Sequence, residues 1–257
     1  MSLLDVVILS IVEGFTEFLP VSSTGHLIIV SHLLGIDPTS FSVSFKIAIQ
    51  LGAVLAIVLL YWRSLFLSRA VIYRLALAFL PTAVIGFLFF DFIKGVLLES
   101  ELVVVIMFFV GGLALIGFEL WHTERPEAVE DIANLSPRRA FVIGLFQSVA
   151  FVPGVSRAAA TIIGGLWLGM KRRTILEFSF LLAVPTMGAA TAYDLIKNAP
   201  TLTGGDLGLI ILGAVLSFVF ALLAVKFLLV YINHYSFIPF GVYRIILAVI
   251  LFFILII

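Results

Sequence analysis

The sequence predicts an all-α polytopic membrane protein: six spans and two re-entrant helix hairpins, arranged as two inverted repeats. Three observations predict it. Of the 257 residues 63% are apolar and 12% charged, with a mean hydropathy of +1.27, whereas soluble domains are about half apolar and a quarter charged. Six stretches are free enough of charge to supply the roughly 20 apolar residues that a helix needs to cross a bilayer. Two further apolar regions are each broken in the middle by proline and glycine. There are no cysteines, which excludes disulfides, thiolate catalysis and sulfur-ligated metals. Fifteen basic residues balance fifteen acidic ones, so nothing in the overall charge invites nucleic acid.

Leu3 to Leu34, interrupted at Pro20 and Gly25, is too long for one span and too short for two. A helix–break–helix hairpin that returns to the side it entered from fits this length, provided that its irregular backbone is buried in protein or lines a polar cavity. Spans follow around Ile47 to Trp62, Leu75 to Phe90 and Leu102 to Phe118. The polar stretch 122–139 then joins this first repeat, 1–121, to a second, 140–257, within one integral membrane domain. Ala140 to Met170, broken at Pro153 and Gly154, is the second hairpin. Three more spans follow it, around Phe178 to Tyr193, Leu207 to Val225 and Phe237 to Ile257, the last interrupted by Arg244. Three is odd, so the repeats are inverted. Phe18-Leu19-Pro20-x-x-Ser23 aligns with Phe151-Val152-Pro153-x-x-Ser156, and Ser44-Phe45-x-x-Ala48 with Ser179-Phe180-x-x-Ala183. Inverted repeats that meet through broken helices near the midplane are a recurrent membrane architecture. Met1 to Glu17 carries no basic residue, unlike a signal peptide.

Loop charges orient the chain. Arg63, Arg69, Arg74, Arg125, Arg138, Arg139, Lys171, Arg172 and Arg173 fall on one face. Lys46, Lys94 and Lys197 fall on the other, with the acids Asp37, Asp91, Glu99, Glu101, Asp194 and Asp206. Nine against three assigns the first face to the cytoplasm. The N-terminal hairpin then opens outward and the one at Pro153 inward.

Chemistry is concentrated at the two breaks. Glu13 and Glu17, at i and i+4, put two carboxylates on one helix face. Acids within an apolar segment face a cavity, a cation or a metal, or else the helix lies at the surface and they are solvated. Beyond them come Pro20, Ser22, Ser23, Thr24, Gly25 and His26. Ser22 or Ser23 suits the N-cap of a new helix, whose free N–H groups favour an anion; alternatively, the hydroxyls only satisfy backbone. At the second break, Ser156 and Arg157 open another half-helix, with Thr161 one turn on. An arginine so deep in an apolar stretch needs an anionic partner. That partner is either a phosphate or, in a purely structural arrangement, one of the two glutamates. Gly165-x-x-x-Gly169 permits close helix contact and would suit a homodimer.

Glu13-Gly14-Phe15-Thr16-Glu17-Phe18-Leu19-Pro20-Val21-Ser22-Ser23-Thr24-Gly25-His26 resembles the E-x-x-x-E signature of the bacitracin-resistance type undecaprenyl-diphosphatases. Pro153-Gly154-Val155-Ser156-Arg157 with Thr161 is similar to their second signature, P-G-x-S-R-S-x-x-T, except that Ala158 stands where the family has serine. Glu177 to Pro185 and Ser236 to Phe240 extend the likeness over nearly the whole chain. It implies a cell-membrane enzyme that removes the terminal phosphate of a polyprenyl diphosphate on the outer face, regenerating a monophosphate carrier for cell-wall polymers. It also implies bacitracin resistance and dependence on a divalent cation, Mg²⁺ or Ca²⁺.

On that reading Glu13 and Glu17 hold the cation, and Ser22, Thr24, Ser156, Arg157 and Thr161 bind phosphate. Ser23 is the favoured nucleophile, activated by Glu17 or His26, although His26 or water could attack instead. Secondary transport or lipid flipping would use similar parts. Acid-phosphatase-like lipid phosphatases are excluded, because they have histidine six residues after the arginine and here that position is Ile163. H-E-x-x-H, G-x-G-x-x-G and Walker patterns are absent from the sequence.

Overall fold

In a computed structural model, residues 1–89, 101–198 and 204–255 are described. Asp91, Lys94 and Glu99, used above for orientation, and the span ends Phe90 and Ile257 lie outside them. The described residues form ten α-helices in this order: α1 (Leu3–Thr16), α2 (Ser23–Leu33), α3 (Ser40–Leu67), α4 (Arg69–Leu88), α5 (Glu101–Trp121), α6 (Pro137–Ser148), α7 (Arg157–Trp167), α8 (Arg172–Asn198), α9 (Gly204–Tyr231) and α10 (Ile238–Leu255). Six of them, α3, α4, α5, α8, α9 and α10, are long and apolar enough to cross a membrane. They contain the described parts of the six predicted spans, except Phe89, which follows α4, and Phe237, which precedes α10.

The other four helices have 14, 11, 12 and 11 residues. At 1.5 Å per residue none reaches the roughly 30 Å of a hydrocarbon core. They pair as α1 with α2 and α6 with α7, each pair separated by one of the two breaks. Side-chain oxygens set where several helices begin. Ser2 and Asp5 form a capping box on α1, Thr39 caps α3, Ser68 caps α4, and Ser136 caps α6 with Pro137 as its first residue. Each satisfies N–H groups that a helix start leaves bare.

Packing crosses between the halves of the chain. α1 lies on α9 while α6 lies on α4, α3 packs on both α8 and α9, and α5 packs on α10. Glycines set how close these helices come. A β-carbon on Gly144 of α6 would sit 2.0 Å from the Ala78 carbonyl oxygen of α4, and one on Gly52 of α3 would sit 2.1 Å from that of Ala214 in α9. The core between them is built from Phe18, Phe178, Phe180, Leu181 and Ile162, all essentially inaccessible. Gly165, by contrast, is taken up by an internal contact, since a β-carbon there would meet the Ile175 side chain at 2.1 Å. Gly169 has φ +79°, in a left-handed turn at the end of α7.

At the basic face, carboxylates tie the helix ends to the connecting segment. Glu119 accepts from Arg172 Nη2 at 3.0 Å and from the Phe237 N–H at 3.2 Å. Glu124 accepts from the Arg172 N–H at 3.0 Å. Both N–H groups lie where a helix begins, the end that favours negative charge.

Gly144→Ala is expected to destabilise the protein by about 1–3 kcal/mol, because backbone and not a flexible side chain blocks the methyl group. Gly188→Ala, in α8 with nothing within 4 Å of the added carbon, should be neutral or stabilising by up to about 1 kcal/mol. Thermal unfolding of the two variants in detergent compares them directly.

Candidate active site

The two breaks meet. Arg157, the first residue of α7, reaches Glu17 just beyond α1, with Nη2 3.1 Å from Oε1. The other carboxylate oxygen, Oε2, accepts a short hydrogen bond from Ser23 Oγ. One carboxylate thus joins a serine from its own break to an arginine from the other. Glu17 and Ser23 are buried, the Arg157 side chain is 12% exposed, and Phe18 lies against Arg157, its ring centroid 6.0 Å from Cζ. The low polarity of such surroundings strengthens the pairing. Arg157 Nη1 donates to the Ser179 carbonyl at 2.9 Å, which fixes the fork against α8.

The local backbone explains how Ser23 is presented. Ser22 has φ 69° and ψ 90°, a left-handed conformation that non-glycine residues rarely adopt. It occupies the N-cap position of α2, yet its side chain does not cap. Ser156 at the second break does cap, accepting from the Ala159 N–H at 3.1 Å. Thr161 Oγ1 lies within hydrogen-bond reach of the Arg157 and Ala158 carbonyls and 2.6 Å from Ser179 Oγ. It supports the start of α7 from behind and does not line the cavity described below.

That cavity, of about 150 Å³, is bordered by Glu17, Ser22, Ser23, Thr24, Ser156 and Arg157, and by Gln50, Thr82, Gln147 and Thr186. The structure therefore brings together most of the residues singled out at the two breaks and adds four more polar ones. His26 is elsewhere. Its Nδ1 lies 2.8 Å from the Ser22 carbonyl and its Nε2 2.7 Å from the Tyr243 hydroxyl, with the Tyr243 ring stacked on it. A carbonyl only accepts, so Nδ1 carries a proton and holds the strained turn. Glu13 is fully buried, and neither of its carboxylate oxygens has a partner among the described residues. The charges that act on it are those of Glu17 and Arg157.

Arg244 in α10 is the feature that sequence reasoning missed, having treated it only as an interruption in a span. It is completely buried. Its Nη1 donates to the Pro20 carbonyl at 3.3 Å and its Nη2 to the Gly154 carbonyl at 2.8 Å, so one side chain is bonded to both breaks. Nη2 also donates to Met107 O at 2.9 Å, and Nε to Phe108 O at 3.4 Å. Gly111 makes the space, since a β-carbon there would lie 2.1 Å from Nη2.

Comparison with known proteins places this arrangement. A family model described as "Bacitracin resistance protein BacA" matches residues 6–250. A protein of Sulfurihydrogenibium sp. named undecaprenyl-diphosphatase is 50% identical over 97% of this chain and 98% of its own length. Relatives of the same name from Persephonella marina and Aquifex aeolicus are 50% and 47% identical, over 96% and 95% of this chain and 97% and 95% of theirs.

Arg244→Met should cost about 3 kcal/mol or more, because it strips the donors from four carbonyls in apolar surroundings. Chemical unfolding in detergent would measure the loss. Wild-type stability in this variant would show that those carbonyls find other partners.

Proposed function

The chain belongs to the bacitracin resistance protein family, and on that premise we propose that it hydrolyses undecaprenyl diphosphate to the monophosphate lipid carrier and inorganic phosphate. Bacitracin resistance and a role in recycling the carrier for cell-wall polymers follow from that chemistry. The observation that carries the mechanism is Glu17, which is hydrogen-bonded to Ser23 on one oxygen and paired with Arg157 on the other. Secondary transport has less support, since the relatives above are named as diphosphatases.

Ser23 Oγ is the nucleophile in this reading. Glu17 accepts its proton as Oγ bonds to the terminal phosphorus. The bond from that phosphorus to the bridging oxygen breaks, and the lipid monophosphate leaves with the proton that Glu17 passes on. A phosphoserine remains and water hydrolyses it. Arg157 offers a planar fork to the phosphoryl oxygens, with the N–H groups that open α7 beside it. Phosphoryl transfer depends mainly on such positioning and charge neutralisation. Ser22, Thr24 and Ser156 line the same space. His26 holds the turn that presents Ser23.

The residues present fit a divalent cation. Glu13 has two buried carboxylate oxygens without partners among the described residues, one turn before Glu17, and Mg²⁺ is commonly held by one or two carboxylates plus substrate oxygens. Bound there, the cation would supply charge neutralisation to the diphosphate.

The prenyl chain suits a second, apolar cavity of about 340 Å³, lined by Phe15, Leu19, Val21, Phe227, Tyr231, Phe240 and Tyr243. It adjoins the same turn through Leu19 and Val21. The excess of basic residues on one face supports a cytoplasmic assignment for that face and a site reached from outside. The pairing of α1 with α9 and of α6 with α4 supports the two-repeat reading, in which 1–121 and 140–257 exchange equivalent contacts.

Glu17→Gln and Arg157→Ala should each lower phosphate release from a C55 diphosphate by about 10³-fold or more, with the protein still folded and membrane-inserted. Chelator should abolish the wild-type reaction. Normal turnover in either variant would remove the site from consideration. Quenching with terminally labelled substrate should leave acid-stable phosphate on Ser23, whereas an acid-labile adduct would transfer the role to His26.

A further inference from the structure

One wall of the catalytic cavity carries a polar group that no step above uses. Gln147 of α6 is 2% exposed. It lies between Thr82 of α4 and Thr186 of α8, and each of these threonines directly follows a helix-interior proline, Pro81 and Pro185. Thr186 Oγ1 donates its proton to the Leu182 carbonyl at 2.8 Å, and Thr82 Oγ1 donates to the Gly144 carbonyl at 3.3 Å. With those protons committed, both hydroxyls face Gln147 as acceptors.

The carboxamide must therefore turn its NH₂ toward them. Nε2 donates to Thr82 Oγ1 at 2.8 Å and to Thr186 Oγ1 at 3.1 Å. Both amide hydrogens are used, and flipping the group would set one acceptor against two others. Oε1 is thereby held in a single orientation, buried, with no partner among the described residues. A buried carbonyl oxygen left without a donor is destabilising. Gln147 borders the same cavity as Glu17 and Ser23.

A group that approaches Oε1 must bring a hydrogen-bond donor. An ionised terminal phosphate offers only acceptors. Water supplies the donor, and hydrolysis requires one water at this site. We infer that Gln147 Oε1 orients the water that attacks the phosphoserine, an assignment that rests on Ser23 as nucleophile. The water donates one hydrogen to Oε1 and the other to Glu17, which directs its lone pair at phosphorus. Its oxygen bonds to phosphorus and the bond from phosphorus to Ser23 Oγ breaks. The proton taken by Glu17 passes to Oγ, so that the serine hydroxyl and hydrogen phosphate are the products. A glutamine that orients an attacking water has precedent in nucleotide hydrolysis.

Gln147→Leu and the closer isostere Gln147→Met test this with terminally labelled C55 diphosphate. Lipid monophosphate should appear at the wild-type rate in a burst stoichiometric with enzyme. Phosphate release should fall roughly tenfold or more, and label should accumulate on Ser23. At steady state kcat and KM should fall together, leaving kcat/KM, which reports the first step, unchanged. A general packing defect would not produce that split. Thr82→Val with Thr186→Val, which frees the carboxamide to rotate, should reproduce the burst in weaker form. Equal slowing of both products, or no change in either, would overturn the assignment. Full activity of Ser23→Ala, with no label on any variant, would instead overturn the serine reading on which it rests.

Discussion

Broken helices surrounded by apolar groups have a debt in hydrogen bonds: carbonyl oxygens at the break lose their helical donors and no solvent replaces them. Arg244 answers this constraint at both breaks. Its guanidinium bonds to the Pro20 and Gly154 carbonyls while Met107 and Phe108 of α5 accept from the same side chain. Once the breaks are fixed to a common cation, the helix starts that follow them are fixed as well, Ser23 at α2 and Arg157 at α7. The meeting of Ser23, Glu17 and Arg157 depends on that anchoring. Phe108 serves it twice: its ring lies 5.4 Å from the guanidinium, and its edge fits against Gly25, where a β-carbon would lie 2.1 Å away.

Around this anchor the two breaks contribute different chemistry. The aligned motifs put Ser23 opposite Ser156 and Pro20 opposite Pro153, yet the residues beside them differ. The first break supplies acids and a serine held by a left-handed residue, and the second supplies an arginine and a well-capped helix start. An acid and a base in one half could neutralise each other locally. Placed in different halves, they do so only across the interface, and Glu17 keeps one oxygen for Ser23.

Much of this was legible in the sequence, for a physical reason. Charge is so scarce in an apolar chain that Glu13, Glu17 and Arg157 stand out, and proline and glycine mark the breaks beside them. The six spans followed from length and hydropathy. Other features were hidden. Arg244 looked like a flaw in a span because its partners are backbone carbonyls, which leave no mark in side-chain patterns. Gln50, Thr82, Gln147 and Thr186 are single polar residues on four different helices, and only tertiary packing gathers them. His26 lies within the motif, but its hydrogen bond to Tyr243 becomes visible only when α10 is in place.

The split carboxylate of Glu17 also bears on how such a protein is made. The chain is synthesised from its N-terminus, so the segment with both glutamates and Ser23 enters the membrane well before residue 157 exists. During that interval Ser23 has its carboxylate partner, while Glu17 still lacks its arginine. The ion pair therefore closes only when the second half docks, which makes completion of the fold and assembly of the Glu17 cluster the same event.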